Sequence, residues 1–233
     1  MSSAEQKFRH EHKYVISAAQ VPLLRSRIAN LMEPDPHVGD DGIYNIRSLY
    51  FDDYSNRCYY ENENGTDPRE KFRIRIYNHS SDRIVLECKR KENGKTQKTS
   101  CHLTLDQADQ LIRGKPLPQI DNLPTLLKKF ILEMRTKGLH PVVIVEYERI
   151  PYICKNGNVR VTFDMQISSS SDVTEFFSER LPRRPIMPIG QHLMEVKYDE
   201  YLPDFIYRSL SLGKLQQTAY SKYYLCRKYA LHK

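Results

Sequence analysis

The chain has 233 residues and a mass of 27.5 kDa, with 36 Lys and Arg against 29 Asp and Glu, a formal charge of +7. That length suits one sizeable domain over 1–233, and the positive balance suits an anionic partner: nucleic acid, a phosphate-rich metabolite or an acidic membrane surface. There is no apolar signal core at the N-terminus and no run of about 18 apolar residues, while Cys58, Cys88, Cys101, Cys154 and Cys226 lack C-x-x-C spacing, so the expectation is no membrane span and a reducing, cytoplasmic setting.

Residues 7–16 read as a first strand, and Ser17-Ala18-Ala19-Gln20 has capping-box spacing that opens a helix predicted to reach Leu31. Pro34-Asp35-Pro36 and Gly39-Asp40-Asp41-Gly42 mark a loop. Residues 43–52 then alternate as a strand, with Tyr44, Ile46, Ser48 and Tyr50 on one face. A short helix is predicted over 53–62, then strands over 70–78 and 83–91 joined by a polar turn at 78–82. Asn93-Gly94 signals a hairpin, because a type I′ turn needs positive φ at both central residues. In that register Glu92 faces Lys95, Lys91 faces Thr96 and Lys89 faces Lys98.

Thr104 to Gln107 is a second capping box, opening a helix that stops at Gly114. Residues 124–137 form an amphipathic helix with Leu126, Leu127, Phe130, Ile131 and Met134 on its apolar stripe. Strands return at 141–151, 159–167 and 192–198; 168–171 is a polar link, and 180–188 an Arg- and Pro-rich loop. The end, 203–233, is predicted helical with Ser221-Lys222-Tyr223-Tyr224 inside it.

Cations recur at every second position of these strands. Side chains alternate across a strand, so Arg73 and Arg75 project from one face while Phe72, Ile74 and Ile76 project from the other. The same count groups Arg9, Glu11 and Lys13; Glu87, Lys89 and Lys91; Arg160, Thr162 and Asp164; and Glu195 with Lys197. About eight mostly antiparallel strands with helices between them predict an α+β fold, a closed eight-stranded tunnel barrel with flanking helices. With the charged face turned inward, the bore requires an anion, water or both.

The chemistry narrows further. Gly94-Lys95-Thr96 fails the P-loop pattern, since position 89 is Lys where Gly is required. No Ser elbow or Cys/His nucleophile pattern is present, and His10 and His12 point away from the Glu11/Lys13 face. Nucleic acid is excluded as partner because the aromatic residues fall mostly opposite the cations or in helices, whereas stacking recognition wants both on one surface. Phosphate chains fit: guanidinium forks grip their oxygens, ammonium groups neutralise the rest, and Glu195, Glu11 and Glu87 are candidate ligands for a hard divalent ion. The competing role for Glu11 and Glu87 is salt bridging inside the barrel.

Arg9-x-Glu11-x-Lys13-Tyr14, Ser48 to Asp52, Lys71 to Arg75, Leu86 to Lys91, Val159 to Asp164, Met194 to Tyr198 and Ser221-Lys222-Tyr223 together resemble, in that order, the VTC-type polyphosphate polymerase domain. That family belongs with the CYTH proteins to the triphosphate tunnel metalloenzymes. The resemblance implies a tunnel, open at both ends, that binds a nucleoside triphosphate and extends inorganic polyphosphate. It implies phosphate contacts from Lys13, Arg73, Arg75, Lys89, Lys98, Arg160, Lys197, Ser221 and Lys222, and Mn²⁺ or Mg²⁺ on Glu195; Lys91 joins them by strand face alone. Ser221 and Lys222 come only from the family. Related hydrolases open with Glu-x-Glu-x-Lys, whereas Arg9 fills the first slot here, which favours the polymerase branch over a CYTH-type triphosphate hydrolase or a non-catalytic polyphosphate-binding module.

Overall fold

The computed structural model describes residues 7–39, 41–118 and 121–231. Asp40 of the predicted loop and His232 and Lys233 of the predicted last helix lie outside them, as do the first six residues of the expected domain. In chain order the elements are β1 (His10–Ser17), α1 (Gln20–Ile28), β2 (Glu33–Pro34), β3 (Tyr44–Asp52), α2 (Arg57–Glu63), β4 (Arg69–Tyr77), β5 (Ser80–Glu92) and β6 (Lys95–Leu103). There follow α3 (Leu105–Ile112), α4 (Thr125–Lys137), β7 (His140–Cys154), β8 (Val159–Ser170), β9 (Arg184–Pro185), β10 (Gln191–Tyr198), α5 (Asp204–Ser209) and α6 (Lys222–Leu231).

All ten strands join one sheet, eight of them in the order β1-β10-β8-β7-β3-β4-β5-β6, with β2 and β9 attached to β7 and β8. Every pairing is antiparallel. The Asn93-Gly94 hairpin has its predicted register: Asn93 and Gly94 take φ of 49° and 75°, and Lys89 pairs with Lys98.

The period-2 pattern sorts this sheet into two sides. On the convex side of β3, β4, β5 and β6, Leu49, Phe72, Ile74 and Leu86 pack under α3 and α4. On the convex side of the other half, Tyr14, Val161, Phe163 and Val196 pack under α1 and α5. The concave side carries the alternate, charged positions, except toward one end, where Val143, Val145, Ile167 and Leu193 meet Tyr223 and Cys226 of α6. That end of the bore is filled by a helix, in contrast to the tunnel expected to be open at both ends.

The sheet curls without closing, which corrects the expected closed barrel. Among the described residues, the edges β1 and β6 pair only where Arg9, just before β1, and Thr96 exchange two backbone hydrogen bonds of 2.9 Å. Farther along, the edge of β1 that β6 would need is taken by the C-terminal chain: Thr218 N–H donates to the Lys13 carbonyl at 2.8 Å, and Tyr14 bridges Gln217. The same pairing explains why the predicted 203–233 helix is broken. The chain runs as α5, a 3₁₀ turn at Leu212–Lys214 and an extended stretch before α6 begins, so Ser221 precedes the helix and accepts from Tyr224 N–H at 3.3 Å.

Smaller boundary differences have local causes. Ser17 and Gln20 do exchange reciprocal bonds, Ser17 N–H to Gln20 Oε1 at 2.8 Å and Gln20 N–H to Ser17 Oγ at 3.3 Å, but they brace the junction between β1 and α1, and α1 ends at Ile28. Thr104 and Gln107 form the full capping box of α3. No described helix is long and apolar enough to cross a membrane.

Two left-handed glycines separate backbone preference from crowding. A Cβ on Gly94 (φ 75°) would meet nothing within 4 Å, whereas one on Gly157 (φ 71°) would sit 2.7 Å from the Tyr201 carbonyl oxygen. Gly94→Ala is expected to cost about 1 kcal/mol for the left-handed backbone alone. Gly157→Ala should lower the urea midpoint clearly further; equal midpoints would contradict the close approach.

Candidate functional site

The concave face encloses a cavity of about 1010 Å³, lined by fourteen Lys and Arg residues against three carboxylates, Glu11, Glu195 and Asp199. Arg73 and Arg75 reach it from β4, Lys89 and Lys91 from β5, Lys98 from β6, Arg160 from β8, Lys197 from β10 and Lys13 from β1; Ser221 and Lys222 enter from the start of α6. Of the residues singled out from sequence, only Glu87 does not line it. Glu87 stands behind the cations, buried.

Three ion networks hold these groups. In the first, Glu87 Oε2 accepts from Arg73 at 2.6 Å and lies 3.8 Å from Arg75, while its Oε1 accepts from Lys98 at 2.9 Å. Arg73 also donates to Tyr50 Oη at 2.8 Å, and Arg75 to Ser48 Oγ at 3.1 Å and Tyr147 Oη at 3.3 Å. Each guanidinium is thereby held at all three nitrogens while it lines the cavity.

In the second, Glu11 binds Lys89 at 2.6 Å, and Lys13 and Lys197 are each shared between Glu11 (3.5 and 3.9 Å) and Glu195 (4.0 and 3.2 Å). Lys222 bridges Glu195 and Asp164 at 2.6 Å each. Arg149 grips Asp164 with two bonds of 2.6 and 2.7 Å. In the third, Arg160 pairs with buried Asp35 at 2.7 Å and donates to Tyr44 Oη at 2.9 Å. The Arg160 Nε and Tyr220 Oη, both buried, have no hydrogen-bond partner among the described residues.

The charge states follow from this crowding. Burial pushes Glu11 upward, but Lys89, then Lys197 and Lys13, overcome it and hold the carboxyl well below its ordinary range. Glu195 is held down against burial by Lys222, Lys197, Lys13 and Arg149, and Glu87 by Arg73, Arg75 and Lys98. Among the cations, burial lowers Lys89 to about 8 despite Glu11, whereas Asp164 and Glu195 raise Lys222 against its burial.

Sequence reasoning leaves Arg149 open and misses Asp35, and Asp164 as a site residue. The register of 141–151 is not legible from its residues, since Glu146, Glu148 and Arg149 cannot share a face; the structure turns Tyr147 and Arg149 inward and leaves Glu146 outside, bound to Arg47 at 2.5 Å. Asp164 was already on the counted face, and its missing signal was Arg149. Asp35 sits just beyond the two-residue β2, where no strand period points it anywhere.

A divalent ion fits only part of the predicted ligand set. Glu11 and Glu195 face one region, bridged by the same two lysines, and two carboxylates completed by phosphate oxygens suit Mg²⁺ or Mn²⁺. Glu87 does not fit: it stands buried behind Arg73, Arg75 and Lys98 and does not line the cavity. No three His, Cys, Asp or Glu side chains converge on a point among the described residues, so the protein alone does not build a complete cage.

The site thus lies on the cation-lined concave face of a curled antiparallel sheet with helices on its convex side. Residues 8–231 match the model of the VTC domain, and the chain belongs to that family. No curated protein sequence matches it. Among solved structures, a proposed adenylate cyclase from Bacillus halodurans is similar at 12% identity, covering 90% of this chain and 89% of that one with a TM-score of 0.50. A proposed adenylyl cyclase from Hippeastrum, described as revealing a dominant triphosphatase activity, is similar at 12% identity, 95% coverage of both chains and a TM-score of 0.49. At such identities the likeness concerns fold. Family membership ties the chain to triphosphate or polyphosphate chemistry.

Two measurements test the ion networks. Lys222→Met leaves Asp164 and Glu195 without their shared cation and is expected to cost about 3 to 5 kcal/mol in urea unfolding, the usual loss when one partner of a buried pair is removed. The depressed carboxyls also set a pH dependence. A glutamate held below its ordinary 4.5 lends stability above that value and loses it as pH falls through the folded value. Melting temperature should therefore drop steeply below about pH 4.5, and Glu195→Gln should flatten that drop.

Proposed function

We propose that this protein is a metal-dependent polyphosphate polymerase, transferring the γ-phosphoryl group of a nucleoside triphosphate, ATP in the first instance, to the end of an inorganic polyphosphate chain. The reading rests on one observation above all: Arg73, Arg75, Lys89, Arg160, Lys197 and Glu195, drawn from four strands, converge on one cavity. Family membership supports it, and Arg9 in the place of the hydrolases' first glutamate favours the polymerase branch.

The donor's β and γ phosphates lie against Lys13, Lys197, Ser221 and Lys222. A terminal oxygen of the acceptor chain attacks γ-phosphorus in line; the bond from γ-phosphorus to the β–γ bridging oxygen breaks, and nucleoside diphosphate leaves with that electron pair. Arg73, Arg75 and Arg160 stabilise the charge on the moving group, preorganised by Glu87, Ser48, Tyr50 and Asp35. Lys89, Lys91 and Lys98 guide the polymer. Glu195 with Glu11 would hold Mn²⁺ or Mg²⁺, which would supply charge neutralisation of the donor's phosphates. Glu87 is assigned to fixing the cations in place of a metal-ligand role.

Purified protein incubated with ATP and Mn²⁺ is expected to yield chains of many phosphates on gel electrophoresis. Orthophosphate alone would replace the polymerase with the hydrolase, and tight polymer binding without turnover would leave a binding module. Arg73→Ala and Glu195→Gln should each lower kcat by about 100-fold or more, the scale of losing one preorganised transition-state contact.

A further inference from the structure

Apart from the exposed Lys7, every cation lining the cavity has a carboxylate oxygen within 4.0 Å, with three exceptions among the described residues: Arg69, Lys71 and Lys91. The three are neighbours. Arg69 is the cross-strand partner of Lys91, and Lys71 that of Lys89. Like charges directly opposite one another in a sheet are destabilising; here Arg69 donates to the Thr66 carbonyl at 2.7 Å and Lys89 pairs with Glu11, but no carboxylate pairs with Arg69, Lys71 or Lys91 among the described residues.

What does touch Lys71 is neutral. Its Nζ donates to Asn62 Oδ1 on α2 at 2.9 Å and lies 4.7 Å from the centre of the Tyr223 ring on α6. Cys58 and Glu61 face it from α2, Arg69 from its own strand, Lys89 from β5 and Lys13 from β1, and none of the carboxylates comes within ion-pair range. Burial, with Arg69, Lys89 and Lys13, lowers Lys71 to about 7, and burial, then Arg69 and Lys13, lowers Lys91.

We propose that Arg69, Lys71 and Lys91, with Asn62, form a second anion subsite at this end of the cavity, which holds the polyphosphate chain beyond the point of phosphoryl transfer. The inference rests on the polymerase reading for the identity of its occupant. A metal-bearing triphosphate suits the Glu11 and Glu195 end, where carboxylates are present. The corner, where Glu61, Glu11 and Asp67 act on these cations only from beyond ion-pair range, suits bare, repeated phosphates that need cations only, and its Tyr223 ring is already covered by Lys71. Because Lys71 is only partly protonated near neutrality, an arriving chain draws a proton onto it.

Isothermal titration of wild type, Arg69→Gln, Lys71→Gln and Lys71→Arg with long-chain polyphosphate, and separately with a non-hydrolysable ATP analogue plus Mn²⁺, tests this. Each Gln variant is expected to weaken polyphosphate binding about tenfold and the ATP analogue by less than about twofold, with Lys71→Arg close to wild type. Polyphosphate binding to wild type at pH 7.5 should take up protons, seen as heat that varies with buffer, and Lys71→Gln should abolish the uptake. Equal weakening of both ligands, or unchanged polyphosphate affinity in Arg69→Gln and Lys71→Gln, would overturn the subsite. An absence of chain growth from ATP, with the polyphosphate affinities responding as expected, would instead overturn the polymerase reading and leave the subsite standing.

Discussion

Mutual repulsion among cations in a half-enclosed space is the constraint on which this structure turns. Fourteen Lys and Arg face one cavity that exposes only three carboxylates of its own. A sheet alone would splay such charges into solvent. Here buried acids behind them, Glu87, Asp164 and Asp35, pin the guanidinium and ammonium groups in place, and water or an anion in the hollow must supply the remaining compensation. The folded chain is thus built incomplete, and phosphate oxygens are the natural complement.

Much of this was legible from residue spacing because a strand has a period of two and no freedom to change it. Arg73 with Arg75, Lys89 with Lys91, and Glu195 with Lys197 share a face for that reason, and Asn93-Gly94 carries the face across to Lys98 through a turn that only those residue types favour. Long-range geometry was not legible. Barrel closure depends on what occupies the edge of β1, and the segment that does so, around Gln217 and Thr218, carries no strand pattern of its own. Arg149 was hidden by neighbouring charges on both faces of its strand, and Asp35 by its place in a loop.

The supports of the three arginines differ in kind. Arg73 leans on a carboxylate and a phenol, Arg75 chiefly on a serine and a phenol, Arg160 on a carboxylate and a phenol from separate segments. Arg160 therefore depends on the loop beyond β2 holding its place. This links a segment on the rim to the charge distribution inside.

Within β8 the boundary between the charged and the apolar part of the concave face falls at a single irregularity. Between Glu146 and Glu148 the pairing of β7 with β8 slips, and Gln166, at φ 51°, is the surplus residue. Before it, Arg160, Thr162 and Asp164 point inward; after it the parity flips, so Ile167 is the residue that meets α6. One added backbone unit thus draws the shoreline between electrolyte and oil along β8, and flattening it into a regular strand with Gln166 kept would turn Ser168 toward the helix and take Ile167 away from it.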